Sequence, residues 1–161
     1  MKINIIRGIL IVLLILTFFQ IFCFSNQNGE QSSGISRKVT TVVTKNVKKI
    51  QQLDENKRQE VLDKTEKVIR KLAHFSIYTI VGILLMSLMS TYKIKKMNQV
   101  AISLITGILY ASTDEIHQMF IPERTALITD VLIDTLGVIV GIVLVIFVLK
   151  IFMGDKSEQN T

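Results

Sequence analysis

The sequence of 161 residues contains one cysteine, one proline and no tryptophan. A single cysteine cannot form an intrachain disulfide, so a secreted disulfide-stabilised scaffold is excluded. Neither the G-x-S-x-G nucleophile motif nor the H-E-x-x-H zinc motif occurs. The net charge is +6, but no recognisable nucleic-acid-binding module accompanies it, so we expect no nucleic-acid partner. These absences argue against an enzyme, and we predict neither a cofactor nor a metal.

Charged residues are scarce in four stretches of the chain, at residues 5–24, 72–92, 100–120 and 131–149. About 20 helical residues cross the roughly 30 Å of hydrocarbon in a bilayer, so each stretch is long enough to span a membrane. The sequence therefore predicts an all-α fold, a polytopic membrane four-helix bundle that forms a single domain over residues 1–161. Lysine and arginine near the N-terminus and in the turn after the second span favour cytoplasmic locations for both termini. Basic residues beside the spans suit anionic headgroups, which makes membrane lipids expected partners.

A loop at residues 25–71 joins the first two spans and carries its own apolar pattern. Apolar residues recur in it every three or four positions, a spacing that places them on one face of a helix. The residues of this stripe are Val39, Val43, Val47, Ile50 and Leu53, and a similar stripe continues through Val61, Leu62, Val68 and Ile69. The pattern predicts an amphipathic helix or helical hairpin on the membrane surface. The alternative is a helix packed on the protein's own loops.

Ionisable residues inside spans are expensive, and here they gather at one level of the membrane. Because successive spans run in opposite directions, the start of the second, the end of the third and the start of the fourth lie on the same side. We therefore predict one charged pocket there, and its candidate residues are Arg70, Lys71, His74, Tyr78, Asp114, Glu115, His117, Gln118, Arg124, Asp130 and Asp134.

Helical spacing places polar and small residues in one stripe on each of these spans. The stripes are Arg70, His74, Tyr78 and Gly82 on the second span, Tyr110, Asp114 and Gln118 on the third, and Asp130, Asp134, Gly137 and Gly141 on the fourth. The GVIVG segment is a GxxxG motif, which lets another helix approach closely. It permits a homodimer but serves internal packing equally well. Turned inward, the stripes would bring buried carboxylates to Arg and His partners.

Three segments of the sequence carry a family resemblance. They are FSNQNGEQSS after the first span, RKLAHFSIYTIVGILL at the second, and YASTDEIHQMFIPERTALITDVLIDTLGVIVG across the third and fourth. With its D-E-x-x-Q-x-F-x-P-x-R pattern, the chain resembles the VanZ-like family of small bacterial membrane proteins. The resemblance implies four spans in the bacterial plasma membrane and an association with the cell envelope. Many members have glycine between the proline and the arginine of this pattern, whereas this chain has Glu123.

The resemblance also suggests a function, because the named member of the family is linked to low-level resistance to teicoplanin, a lipid-tailed glycopeptide. The pocket would then bind a lipid headgroup, a lipid-linked cell-wall precursor or a glycopeptide, with Arg70, Lys71 and Arg124 suited to phosphate. The alternatives are an intramembrane acid/base enzyme acting on a lipid, a small proton-coupled transporter, and a charge network that only holds the helices together. A metal site from His74, Asp114 and His117 is disfavoured because no metal motif is present.

Overall fold

The computed structural model describes the backbone of residues 2–27, 29–45, 47, 50, 52–122, 124 and 127–158, and their side chains except at 29–33, 35 and 153–158. Within these ranges the regular structure consists of α-helices without strands. They are α1 (Lys2–Ser25), α2 (Gly29–Thr44), α3 (Glu55–Ser90), α4 (Lys96–Gln118) and α5 (Ile128–Glu158). The all-α prediction is confirmed.

Three of the described helices are long and apolar enough to cross a membrane: α1, α3, and α5 over Ile128–Phe152. The prediction of a membrane protein is therefore confirmed. The predicted third span corresponds to α4, whose 23 residues reach about 35 Å. Polar side chains lower the hydropathy of α4, and it does not meet the same criterion. The four-span bundle stays a prediction.

Helix α3 is longer than the predicted second span, because it begins at Glu55 rather than near residue 72. Asp54 caps its N-terminus, where the carboxylate accepts a hydrogen bond of 3.0 Å from the backbone N–H of Lys57. Neither proline nor glycine interrupts residues 55–81, so the helix continues without a break into its apolar half. One continuous helix of 36 residues thus contains both the end of the predicted amphipathic loop and the second span.

Helix α2 packs against α3 through small polar side chains rather than through its valines. The residues buried on this face are Ser36, Thr40 and Thr44. Arg37 reaches Glu66 and Asp63 of α3 at 3.6 and 3.8 Å. Val39 and Val43 of the predicted apolar stripe are 45% and 57% exposed. An exposed apolar face is what the predicted membrane-surface helix requires, and that placement stays a prediction.

The backbones of α3 and α5 come into direct contact where glycines face the partner helix. A Cβ built at Gly137 would lie 2.5 Å from the carbonyl oxygen of Phe75, and one at Gly82 would collide with the backbone of Val138. Gly141 likewise faces the backbone of Thr79. The predicted close approach through GVIVG is confirmed as an internal helix contact. Buried side chains around it form the core: Tyr78, Val81, Leu85, Met86, Ala111, Val138 and Ile142.

Helix α1 is fixed to the other helices near both of its ends. Near the N-terminus, Arg7 donates a hydrogen bond of 2.7 Å to the Thr91 carbonyl, and its guanidinium lies 4.1 Å from the ring centroid of Tyr92. Towards the C-terminus, the Tyr110 hydroxyl donates to the Phe18 carbonyl at 2.6 Å and the two rings stack at 3.9 Å. These contacts bring the last turn of α1 beside the charged residues of α3, α4 and α5.

Candidate functional site

A polar cavity of about 170 Å³ lies between the charged parts of α3, α4 and α5. Eight of the eleven predicted pocket residues line it, namely Arg70, Lys71, His74, Glu115, Gln118, Arg124, Asp130 and Asp134. The other lining residues are Lys67, Leu127 and Ile133. Residues separated by more than 60 positions in the sequence therefore surround a common space.

An apolar cavity of about 230 Å³ adjoins the polar one. Its apolar wall is built from α1, α2 and α3 by Ile21, Phe24, Val39, Ile69, Ala73 and Ile77. The two cavities share Arg70, His74 and Arg124, so these three side chains stand at the boundary between a charged and an apolar compartment.

Asp114 is held in place by α1 and by its own helix. Its carboxylate accepts hydrogen bonds of 2.5 Å from the Ser25 hydroxyl and 3.1 Å from the Gln118 amide. All three side chains are buried. The sequence reasoning missed Ser25, although it is the first hydroxyl residue after the apolar run of the first span and belongs to the FSNQNGEQSS segment. Ser25 fixes the orientation of the carboxylate from the opposite side.

Arg124 binds the C-terminal end of α1 and has no carboxylate partner among the described residues. Its guanidinium donates to the carbonyl oxygens of Phe24 and Gln27 at 3.1 and 3.2 Å, and to the Gln118 side-chain oxygen at 2.9 Å. Helix C-terminal carbonyls attract cations, which accounts for this position. Burial, together with the neighbouring positive charge of Arg70, lowers the pKa of Arg124 below its ordinary value.

Arg70 differs from Lys71 and Arg124, two other cations of the polar cavity, which both have partners. Lys71 is paired with Asp130 at 2.5 Å, whereas Arg70 makes no hydrogen bond or ion pair with any residue that the structure describes. Glu115 accepts a hydrogen bond of 2.6 Å from the backbone N–H of Leu127. Of the three acidic residues that line the cavity, Asp130 and Glu115 thus have partners other than Arg70, and Asp134 lies beside His74.

His74, Asp114 and Asp134 form a compact cluster, of which His74 and Asp134 line the polar cavity. One ligand atom from each lies within 4.8 Å of the others, and His74 Nδ1 is 3.7 Å from an Asp134 oxygen. Asp134 is 1% exposed, and neither of its oxygens is hydrogen-bonded to a described residue. The cluster joins α3, α4 and α5.

Comparison with protein families gives a match to the VanZ/LLP1 family over residues 10–150. The chain belongs to the VanZ/LLP1 family. The matched range contains every residue that lines the two cavities, so both compartments of this VanZ/LLP1 protein lie in its family domain. No curated protein and no solved structure matches the chain.

Two of the remaining predicted residues of this VanZ/LLP1 protein fall elsewhere. His117 stacks on Phe22 of α1 at 5.0 Å and lines neither cavity, so it does not join His74 and Asp114 in a cluster. Asp134 occupies that place instead. Tyr78 is fully buried beside Asp114 and Asp134 without lining either cavity. Glu123, where the sequence departs from the family pattern, lies outside the described residues.

Proposed function

We propose that this chain binds an amphiphile with a phosphate-bearing headgroup and an apolar tail in the bacterial plasma membrane. Membrane lipids and lipid-linked cell-wall precursors have this chemistry. The observation that carries the proposal is that a charged and an apolar cavity meet at Arg70, His74 and Arg124. Such a boundary matches the junction between the headgroup and the tail of one ligand.

The electrostatics of the polar cavity favour an anion between the two guanidiniums. Arg70 and Arg124 repel each other, and neither is paired with a described carboxylate. A phosphate would remove that repulsion and accept hydrogen bonds from both planar groups, a geometry that arginine provides better than lysine. Lys67 at the same cavity adds a further positive charge.

The apolar cavity supplies the place for the tail. Val39 of α2 forms part of its wall, and the neighbouring valines of α2 are exposed. The part of a tail nearest the headgroup would contact apolar side chains where it enters between α1, α2 and α3. Helix α2 therefore acts as the outer cover of this compartment.

Binding of undecaprenyl phosphate to the purified protein tests the proposal directly. We expect Arg70→Gln to weaken binding about 10- to 150-fold, since hydrogen bonds to charged groups contribute about 1.5–3 kcal/mol. Because Arg70 has no partner among the described residues, its substitution should leave folding intact. The matched control is Lys95→Gln, which removes an exposed charge in the turn between α3 and α4. Equal affinity of Arg70→Gln and the wild type would contradict the proposal and would favour a purely structural charge network.

Teicoplanin protection is the second part of the proposal, because the named member of the family is linked to resistance to this lipid-tailed glycopeptide. Expression in a susceptible bacterium should raise the teicoplanin concentration needed for growth inhibition. Arg70→Gln should abolish that increase at equal membrane abundance, whereas Lys95→Gln should retain it. Protection that persists in Arg70→Gln would show that resistance does not depend on this pocket.

The membrane orientation is tested separately. Reporter fusions at Lys95 and at the C-terminus should both report the cytoplasm, and an external location of either would overturn the proposed orientation.

A further inference from the structure

We propose that His74, Asp114 and Asp134 form a binding site for one divalent first-row metal ion, of the Zn²⁺ or Mn²⁺ type. One imidazole nitrogen and two carboxylate oxygens from three different helices lie within 4.8 Å of one another. Zinc ligands at about 2.0–2.1 Å from the ion are about 3.4 Å apart in a tetrahedral site. The 3.7 Å between His74 Nδ1 and Asp134 Oδ2 is too long for a good hydrogen bond and close to that ligand spacing.

A second observation points to a cation as the ligand of this cluster. Asp134 is 1% exposed, and both of its oxygens lack a hydrogen bond to any described residue. A buried carboxylate without hydrogen bonds costs several kcal/mol, and the contact with His74 is too long to supply one. A bound divalent ion would satisfy Asp134 directly.

The surroundings of Asp114 support a ligand role. The Ser25 hydroxyl and the Gln118 amide donate to its two oxygens and so fix the plane of the carboxylate. Outer hydrogen bonds of this kind orient the ligands of metal sites. Each carboxylate oxygen has more than one lone pair, so these bonds leave Asp114 able to coordinate an ion.

The donor set also selects the class of ion. Two carboxylates neutralise a divalent charge, and a neutral imidazole is a preferred ligand of Zn²⁺ and of related first-row ions. Ca²⁺ requires six to eight oxygen ligands, and one imidazole with two carboxylates does not supply them.

This inference departs from the sequence prediction of no metal, because the group of residues that the sequence suggested contained His117 instead of Asp134. It does not rest on lipid binding, although His74 and Asp134 also line the polar cavity.

Metal binding by the purified full-length protein in detergent is the decisive experiment. After removal of metals with a chelator, Mn²⁺ is titrated and free Mn²⁺ is measured by electron paramagnetic resonance, with Zn²⁺ added as the competitor. We expect one Mn²⁺ per chain, displaced by Zn²⁺, and at least tenfold weaker binding for Asp134→Asn and for His74→Gln. Asp63→Asn is the matched control, because Asp63 is a half-exposed residue of α3 three turns before His74, lines neither cavity and undergoes the same chemical change.

The outcomes separate the possibilities clearly. Wild-type affinity in Asp63→Asn together with weakened binding in both cluster variants supports the site. Absence of Mn²⁺ and Zn²⁺ binding by the wild type, or equal binding by Asp134→Asn, overturns it. Elution of each variant as a single species on size exclusion confirms folding, and His74→Gln provides the test if Asp134→Asn aggregates. If the wild-type protein binds the metal but does not bind undecaprenyl phosphate, only the proposed function is contradicted.

Discussion

Substitution of Gly137 by alanine tests the contact between α3 and α5 most directly. The new Cβ would start 2.5 Å from the Phe75 carbonyl oxygen, whereas ordinary van der Waals contact begins at 3.4 Å. The two backbones must therefore separate by about 0.9 Å at this point. Phe75 is adjacent to His74, and Gly137 lies one turn after Asp134, so the separation would also lengthen the 3.7 Å contact of that pair.

The expected cost of Gly137→Ala follows from overpacking, which destabilises by about 1–3 kcal/mol. A membrane-spanning helix is largely formed before it packs, so the helix propensity that alanine adds cannot compensate for this cost. For a chain of this length, each kcal/mol lowers the midpoint of thermal unfolding by about 2–4 °C. We therefore expect a decrease of about 2–12 °C, measured as loss of the monodisperse species after heating in detergent.

Two other glycines provide controls for this prediction. Gly8→Ala adds a Cβ with nothing within 4 Å and should leave the midpoint unchanged. Gly107→Ala meets only the side chain of Val138, at 2.7 Å, and should have an intermediate effect because a side chain can rotate away. If Gly137→Ala is as stable as Gly8→Ala, α3 and α5 are not in backbone contact and the reasoning fails.

Two further predictions concern single contacts between helices. Tyr110→Phe retains the aromatic stack on Phe18 and removes the 2.6 Å hydrogen bond to its carbonyl oxygen. It should lower the free energy of unfolding by about 0.5–1.5 kcal/mol. An unchanged midpoint of thermal unfolding would contradict this hydrogen bond. A double-mutant cycle of Lys71→Ala and Asp130→Ala should give a coupling free energy of unfolding of about 0.2–1 kcal/mol, because this ion pair is partly exposed. A coupling well above that range would show that the pair is shielded from solvent.

The hydropathy of the chain was sufficient to predict the membrane helices but not all of their limits. The apolar runs in α1, α3 and α5 correspond to three predicted spans. The continuity of α3 was also within reach of the sequence, since Asp54 is a strong capping residue and no helix breaker follows before Gly82. The sequence analysis placed the start of the second span at residue 72, where the charged residues end. Charged side chains limit the apolar segment, but they do not end the helix, which begins at Glu55.

The orientation of α2 shows what apolar periodicity can and cannot predict. The exposed valines are compatible with the predicted membrane-surface helix, whose placement stays a prediction. The contact of Thr40 and Thr44 with α3 was not predicted, because small polar residues allow close helix packing without forming an apolar stripe.

The placement of the charged residues at one level followed from alternating span directions, but their individual partners did not. The bonds from Ser25 to Asp114 and from Arg124 to Phe24 depend on where α1 docks, across 89 and 100 residues of sequence. Helical periodicity within one segment contains no information on such docking. The sequence likewise could not show that His117 turns towards Phe22 and that Asp134 joins His74.

The length of α3 determines how a ligand would reach the pocket. Its 36 residues extend about 54 Å, far more than the roughly 30 Å of hydrocarbon. With Ser90 at one boundary of the hydrocarbon, His74 lies about 24 Å away, a few ångströms below the opposite boundary. The charged headgroup of the proposed ligand would then not need to cross the apolar interior, because the ligand could reach the pocket by lateral diffusion within one leaflet.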